Sequence, residues 1–410
     1  MQPKHNRVIP VIAAIMIQLC LGTAYIWSVF QAGIAASLFA GDNAKAALTF
    51  SILLAVLSIG SVLGGKLQDR TGPRVTVIIG GVILAIGFFL ASFASVSMPW
   101  LLWLTYGVLG GLGMGFIYST TIACAQKWYP DKRGMITGII VAALGFGGVV
   151  FTPLVEMIIK NFGQGVAGQG ELVSFRVLAL IFIVVCTVGG WFIKNPPADF
   201  MPEGWTPKQA AGSSVAMTTT QVLKTPQFYL LTLSLMLACM GGLMMIGFAK
   251  PIAVARGLSE TATVGVFAIT MFNSFGRLFW GAVSDKLGRK KTILLLLGLT
   301  AVLALCVNLA TGYIIYVLIA CIGFAYGGFL STFPAFTADL FGAKYNATNY
   351  GLVLVGFGVG AILSSNIAGH YKNLAAQDIN LMFPAFVIAS IAAVVAIISI
   401  ALIRPIKDKK

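Results

Sequence analysis

Runs of about 20 apolar residues alternate along this chain with short segments in which its charges collect. The runs lie at 8–36, 47–65, 75–95, 100–126, 134–159, 176–193, 227–249, 262–284, 292–310, 313–337, 349–369 and 381–403. At ~1.5 Å of rise per residue, such a run coiled as a helix crosses ~30 Å of hydrocarbon. In lipid the backbone has no water to bond, so it satisfies its own N–H and C=O groups by forming helices. The pattern predicts an all-α integral membrane protein with twelve transmembrane helices.

Composition supports this and removes the alternatives. Hydrophobic residues make up 58% of the 410 and charged residues 10%, whereas a soluble domain carries about a quarter charged residues. A net charge of +15 would suit a nucleic-acid partner if it formed a face. Instead the cations cluster between apolar runs, where they act as topology signals. With a cytoplasmic N-terminus, only Lys45, Lys160, Arg176, Lys250, Arg256 and Lys372 fall in outside segments, and Arg277 stands inside a span. Every other Lys and Arg lies in an inside segment, which predicts a multi-pass protein of the cytoplasmic (inner) membrane with both termini in the cytoplasm. Lys4 and Arg7 precede an apolar stretch too long for a cleaved signal peptide, so the first span is expected to stay. Six single cysteines inside apolar runs, with no CxxC spacing, read as packing residues. No metal or cofactor is implied.

One longer polar connection, 195–226, contains Pro196, Pro197, Pro202, Pro207, Gly204 and Gly212. It divides the chain into a six-helix bundle at 1–194 and another at 227–410. The halves repeat: Gly65-Lys-Leu-Gln-Asp69-Arg70-Thr-Gly72-Pro-Arg74 is answered by Gly281-Ala-Val-Ser-Asp285-Lys286-Leu-Gly288-Arg289-Lys290. Pro130-Asp131-Lys132-Arg133-Gly134 opens span 5 as Asn349-Tyr350-Gly351 opens span 11, with nearly the same offset.

This doubled Gly-x-x-x-Asp-(Arg/Lys)-x-Gly-x-(Arg/Lys) loop resembles the major facilitator superfamily along the whole chain. The resemblance implies two pseudo-symmetric six-helix bundles and a cytoplasmic gating role for Asp69, Arg70, Arg74, Asp285, Lys286 and Arg289, joined by Asp131 and Arg133. The loop's own chemistry agrees, because its aspartates can pair with cations or with a helix N-terminus. Four shorter strings are similar to the oxalate:formate antiporter branch and its monocarboxylate transporter neighbours. They are Leu21-Gly22-Thr-Ala-Tyr25-Ile-Trp27-Ser28-Val-Phe30, Lys127-Trp128-Tyr129-Pro130-Asp131-Lys132-Arg133-Gly134, Thr225-Pro226-Gln227-Phe228-Tyr229 and Asn349-Tyr350-Gly351.

Arg277 is the charge that needs explaining. It stands eight residues before Asp285, ~12 Å from the end of its helix at 1.5 Å per residue. A central arginine costs about 2.5–3.5 kcal/mol to insert, so it requires a wet cavity or a partner. Among the chain's acids only Glu156 falls within an expected span. A substrate carboxylate is therefore favoured over a structural carboxylate partner, since a guanidinium grips a carboxylate with two hydrogen bonds. Asn273, one turn away, is expected to bond the substrate or orient the guanidinium.

In the monocarboxylate transporters, a carboxylate commonly stands four residues before the corresponding arginine and is linked to proton coupling. Asn273 occupies that position here and cannot titrate. Proton symport would need Glu156, or an anion that neutralises Arg277 and thereby permits the switch between states. Oxalate-carrying members place a lysine six residues after Asn-Tyr-Gly, where this chain has Phe357. One fixed cation matches one carboxylate, so lactate, pyruvate or formate is expected over oxalate.

The resemblance further places spans 1, 4, 7 and 10 around a central cavity. This makes Tyr25, Tyr118, Tyr326, Phe329 and Phe333 candidates to line it, against the ordinary alternative that membrane aromatics pack or sit at interfaces. The expected protein is a monomeric secondary transporter, not an enzyme, working by alternating access with an anion and in one form a proton. The alternatives are an oxalate/formate-type exchanger and an anion sensor that does not transport.

Overall fold

Each apolar run becomes one helix. They are α1 (Val8–Leu38), α2 (Asn43–Thr71), α3 (Pro73–Ala91), α4 (Trp100–Trp128), α5 (Arg133–Phe162) and α6 (Gln169–Phe192), then α7 (Pro226–Ala255), α8 (Ala262–Leu287), α9 (Arg289–Leu309), α10 (Ile314–Phe341), α11 (Asn346–Ala375) and α12 (Phe383–Leu402). The computed structural model describes residues 6–197, 200–202, 216–255, 257–258, 260–375 and 379–406. Much of the expected linker, with Gly204, Pro207 and Gly212, lies outside the described residues, as do Lys4, Lys208 and Arg256. Among the described residues the only β pairing is an isolated bridge between Ser95 and Met98.

Among the described residues, eleven of these helices have a stretch long and apolar enough to cross a membrane. The remaining expected span, α8, is a helix of 26 residues. Several helices also outrun their apolar segments, because helical hydrogen bonding continues where side chains turn polar. The largest shift is in α6, which starts at Gln169 and not at 176, so Glu171 and Arg176 become helical.

Local chemistry sets the helix ends. Asp42 caps α2, its Oδ1 accepting from the amides of Ala44 (3.0 Å) and Lys45 (3.1 Å). The motif glycines Gly72 and Gly288 have φ of +87° and +92°, a region that only glycine enters without a Cβ clash. Each ends one helix and starts the next, with Pro73 at the first position of α3. α1 narrows to a 3₁₀ turn at Gly22–Ile26, and α4 widens to a π-helix at Trp103–Gly110.

The helices pack as two compact units. The first is Met1–Pro130, Ala143–Thr206 and Tyr345–Leu352; the second is Asp131–Ala142, Pro207–Lys344 and Val353–Lys410. The opening turns of α5 thus belong with second-half helices, and those of α11 with first-half helices. The first unit has an aromatic centre. Tyr106, on the π segment, lies 4.8 Å from Trp27, 4.5 Å from Phe88 and 5.4 Å from Phe175 between ring centroids. The second unit packs mainly aliphatic and sulfur side chains, including Met244, Met245, Ile252, Ile319 and Ile322, with Phe248 and Phe386.

Candidate functional site

Within the second unit, Arg277 is 2% exposed and Asn273 7%. The i, i+4 spacing on α8 brings the two together, and Arg277 Nε donates to Asn273 Oδ1 at 3.0 Å. Nη1 donates to the backbone carbonyl of Val141, in the opening turns of α5, at 2.8 Å. Both of these acceptors are neutral oxygens, and the two bonds orient the guanidinium.

Glycines let the neighbouring backbones come this close. A Cβ on Gly138 of α5 would run into the carbonyl oxygen of Arg277. A Cβ on Gly327 of α10 would run into the Asn273 carbonyl oxygen and lie 3.0 Å from the Arg277 amide nitrogen. Val141, Gly138 and Gly327 were not singled out from the sequence.

The neutral candidates divide between the units. Tyr326, Phe329 and Phe333 on α10 and Phe357 on α11 are buried in the second unit. Phe329 and Phe333 meet edge to face at 6.3 Å, and the Tyr326 ring lies where a Cβ on Gly242 of α7 would be. Tyr118 and the half-buried Tyr25 belong to the first unit. Tyr118 packs against Tyr350 at 6.4 Å. Its carbonyl, together with the Thr121 hydroxyl at 2.8 Å, accepts from the fully buried Gln18 of α1. Gln18 was not anticipated, because one glutamine in an apolar run carries no charge to flag it.

The aspartates of the repeated loop each meet a helix start. Asp285 accepts from the amides of Gly134 (2.9 Å) and Met135 (2.7 Å), which are among the N–H groups left unpaired at the N-terminus of α5. It also pairs with Arg289 at 2.5 Å. Arg289 and Arg133 both reach Asp339, at 3.1 and 2.9 Å, and this acid was not among the expected gating residues. In the first unit, Asp69 accepts from the Thr348 hydroxyl in the first turn of α11 at 2.5 Å, and Lys127 is the cation that acts on it.

Of the other expected gating residues, Arg70 and Lys286 are exposed, and Asp131 is half-buried in the turn before α5. Arg74 lies over the Trp191 ring at 4.7 Å, because it opens α3 beside the end of α6.

The acids also redistribute. Glu156, expected to be the one acid within a span, is exposed on α5. Glu171, expected outside, is 6% exposed in α6 and lies against Gly33 of α1, whose missing Cβ makes room for the carboxylate.

Comparison with known proteins follows the same lines. A family model described as Major Facilitator Superfamily matches residues 11–365 and 266–410. The uncharacterized MFS-type transporter YhjX of Escherichia coli K12 is 32% identical over 371 residues, covering 88% of this chain and 87% of that protein. The oxalate:formate antiporter of Oxalobacter formigenes is 30% identical over 372 residues, 87% and 84% of the two chains. Monocarboxylate transporter 13 of Rattus norvegicus is 26% identical over 342 residues, 82% and 75%. In fold, the chain is similar to the crystal structure of the transporter FucP in its outward conformation, with a TM-score of 0.71 at 14% identity, covering 96% of this chain and 98% of that one.

Proposed function

Because this chain belongs to the major facilitator superfamily and is a multi-pass membrane transporter, we propose that it carries a small monocarboxylate, of the lactate, pyruvate or formate class, by alternating access. The observation that carries the reading is the Arg277 guanidinium, buried in α8 and aimed by Asn273 and the Val141 carbonyl. A buried cation oriented by neutral oxygens suits a ligand carboxylate, which supplies both opposite charge and two acceptors in one plane. The relatives named above as an oxalate:formate antiporter and a monocarboxylate transporter act on carboxylates, which supports the same class here. Phe357 at the position of a second cation favours one carboxylate over two.

A second reading, exchange of one carboxylate for another, draws support from the antiporter relative. Proton symport is the alternative coupling. Uptake of labelled lactate, pyruvate, formate and oxalate into proteoliposomes, at several pH values and with or without anion inside, separates them. Arg277→Lys keeps the charge and loses the planar fork, and is expected to weaken monocarboxylate binding at least tenfold, a loss of about 1.4 kcal/mol. Unchanged affinity refutes the role given to Arg277. Specific binding without counterflow would make the protein a sensor.

A further inference from the structure

The first unit contains a second place suited to an anion, at the helix ends where the chain's cations collect. A cleft of about 270 Å³ is lined by Asn6, Arg74, Trp128, Trp191 and Lys194. Next to it an apolar groove of about 420 Å³ runs along α1 and α6, lined by residues that include Ile12, Met16, Val184 and Val188. Ile9 and Phe192 line both, so cleft and groove are continuous. Val188 is 56% exposed and Met16 50%, as expected of a surface that faces hydrocarbon.

The two cations in the cleft are not consumed by the protein. The Arg74 guanidinium lies on the Trp191 ring, a contact that holds it while leaving its N–H edge to donate to a partner. Lys194 is fixed through its backbone, its carbonyl accepting from Trp128 Nε1 at 2.7 Å and from the Cys124 thiol at 3.2 Å. Neither cation pairs with a carboxylate among the described residues. The repeat sharpens the contrast. Lys290 occupies the motif position of Arg74 in the second half, and its Nζ donates to the carbonyls of Ala401 and Ile403, both at 2.8 Å. It closes the end of α12, whereas the end of α6 is closed by Trp128 and Cys124.

The geometry points to a binding site for an anionic phospholipid, its phosphate between Arg74 and Lys194 and one acyl chain along the α1–α6 groove. Two cations beside a tryptophan at a membrane interface select the headgroup charge. The groove supplies what a soluble anion cannot use.

Native mass spectrometry of the full-length protein in detergent, titrated with phosphatidylglycerol or with phosphatidylcholine of the same acyl chains, tests this. Phosphatidylglycerol is expected to be retained at about tenfold lower concentration, and the preference to fall about fivefold for each cation removed in R74Q and K194Q. Val188→Trp, which fills the groove from an exposed position and keeps both cations, is expected to lose retention of both lipids. Soluble glycerol phosphate is expected not to displace phosphatidylglycerol.

Equal retention of the two lipids overturns the proposal. An unchanged preference in folded R74Q/K194Q does the same, and if that variant does not fold, unchanged retention in Val188→Trp decides against the groove. Displacement by glycerol phosphate at matched concentration reassigns the cleft to free anions.

Discussion

The same ten-residue loop occurs in both halves, yet its two aspartates hold their helix starts by different means. Asp285 sits in a charged cluster, with its side chain 14% exposed, two backbone amides on its oxygens, and Arg289, Asp339 and Arg133 linked beyond it. Asp69 is exposed and is held by a hydroxyl. Lys127 acts on it through space, and the contacts beside it are neutral: Asn346 Nδ2 donates to Gln126 Oε1 at 2.7 Å, and Gly65 and Gly351 bring α2 and the first turns of α11 into backbone contact.

The loop explains part of this. At the 216-residue offset of the aspartates, Arg289 is matched by Pro73 and Asp339 by Ala123, so the first half lacks both members of the ionic extension. In each case an aspartate in the last turn of its own helix, where the dipole disfavours it, meets the first turn of another. A duplicated motif thus preserves the acid and the turn while the strength of each clamp drifts with the residues around it.

The largest effect should come from Asp285→Asn, which removes the charge that Arg289 and two amides share. A loss of about 2–3 kcal/mol is expected, against about 1 kcal/mol or less for Asp69→Asn, on the scale of charged versus ordinary hydrogen bonds. Thermal unfolding of the purified protein reads both, and equal losses would erase the distinction. Gly351→Ala comes next at about 1–3 kcal/mol, because overpacking cannot be relieved where the neighbours are backbone atoms of Ser61 and Val62, at 2.6–2.9 Å. A cost near zero in the same assay would mean that the start of α11 does not depend on touching α2.

The smallest effect is Thr348→Val, which removes the hydroxyl donor to Asp69 and, like Asp69→Asn, is expected to cost about 1 kcal/mol or less. Raising the salt from about 0.05 to about 1 M should shrink the Asp285→Asn deficit and leave that of Thr348→Val in place, since only the former is ionic. If salt moves both alike, the contrast between an ion-paired and a hydroxyl-held aspartate is wrong.

Much of this molecule was legible in the residues. Hydrocarbon forces apolar runs into helices, so their number and order follow from counting. Arg277 stood out for the same reason, because a charge in such a run is costly, and its i, i+4 relation to Asn273 is a property of any helix. Less could be read where a polar group carries no charge or a helix outruns its apolar stretch. Gln18 and the start of α6, which brings Glu171 into the packed interior, are the two clearest cases.

What the sequence determined by itself was the all-helical membrane fold, the duplication and the single mid-helix cation, because each depends on local periodicity and on the cost of burying charge in lipid. Only the tertiary structure decided that Val141 would aim that cation, that Asp339 would join Arg133 to Arg289, and that Arg74 would lie on Trp191 beside an apolar groove while Lys290 closes a helix. Those outcomes depend on which backbones approach across long stretches of intervening chain, and glycines such as Gly138 and Gly327 permit that approach without specifying its partner.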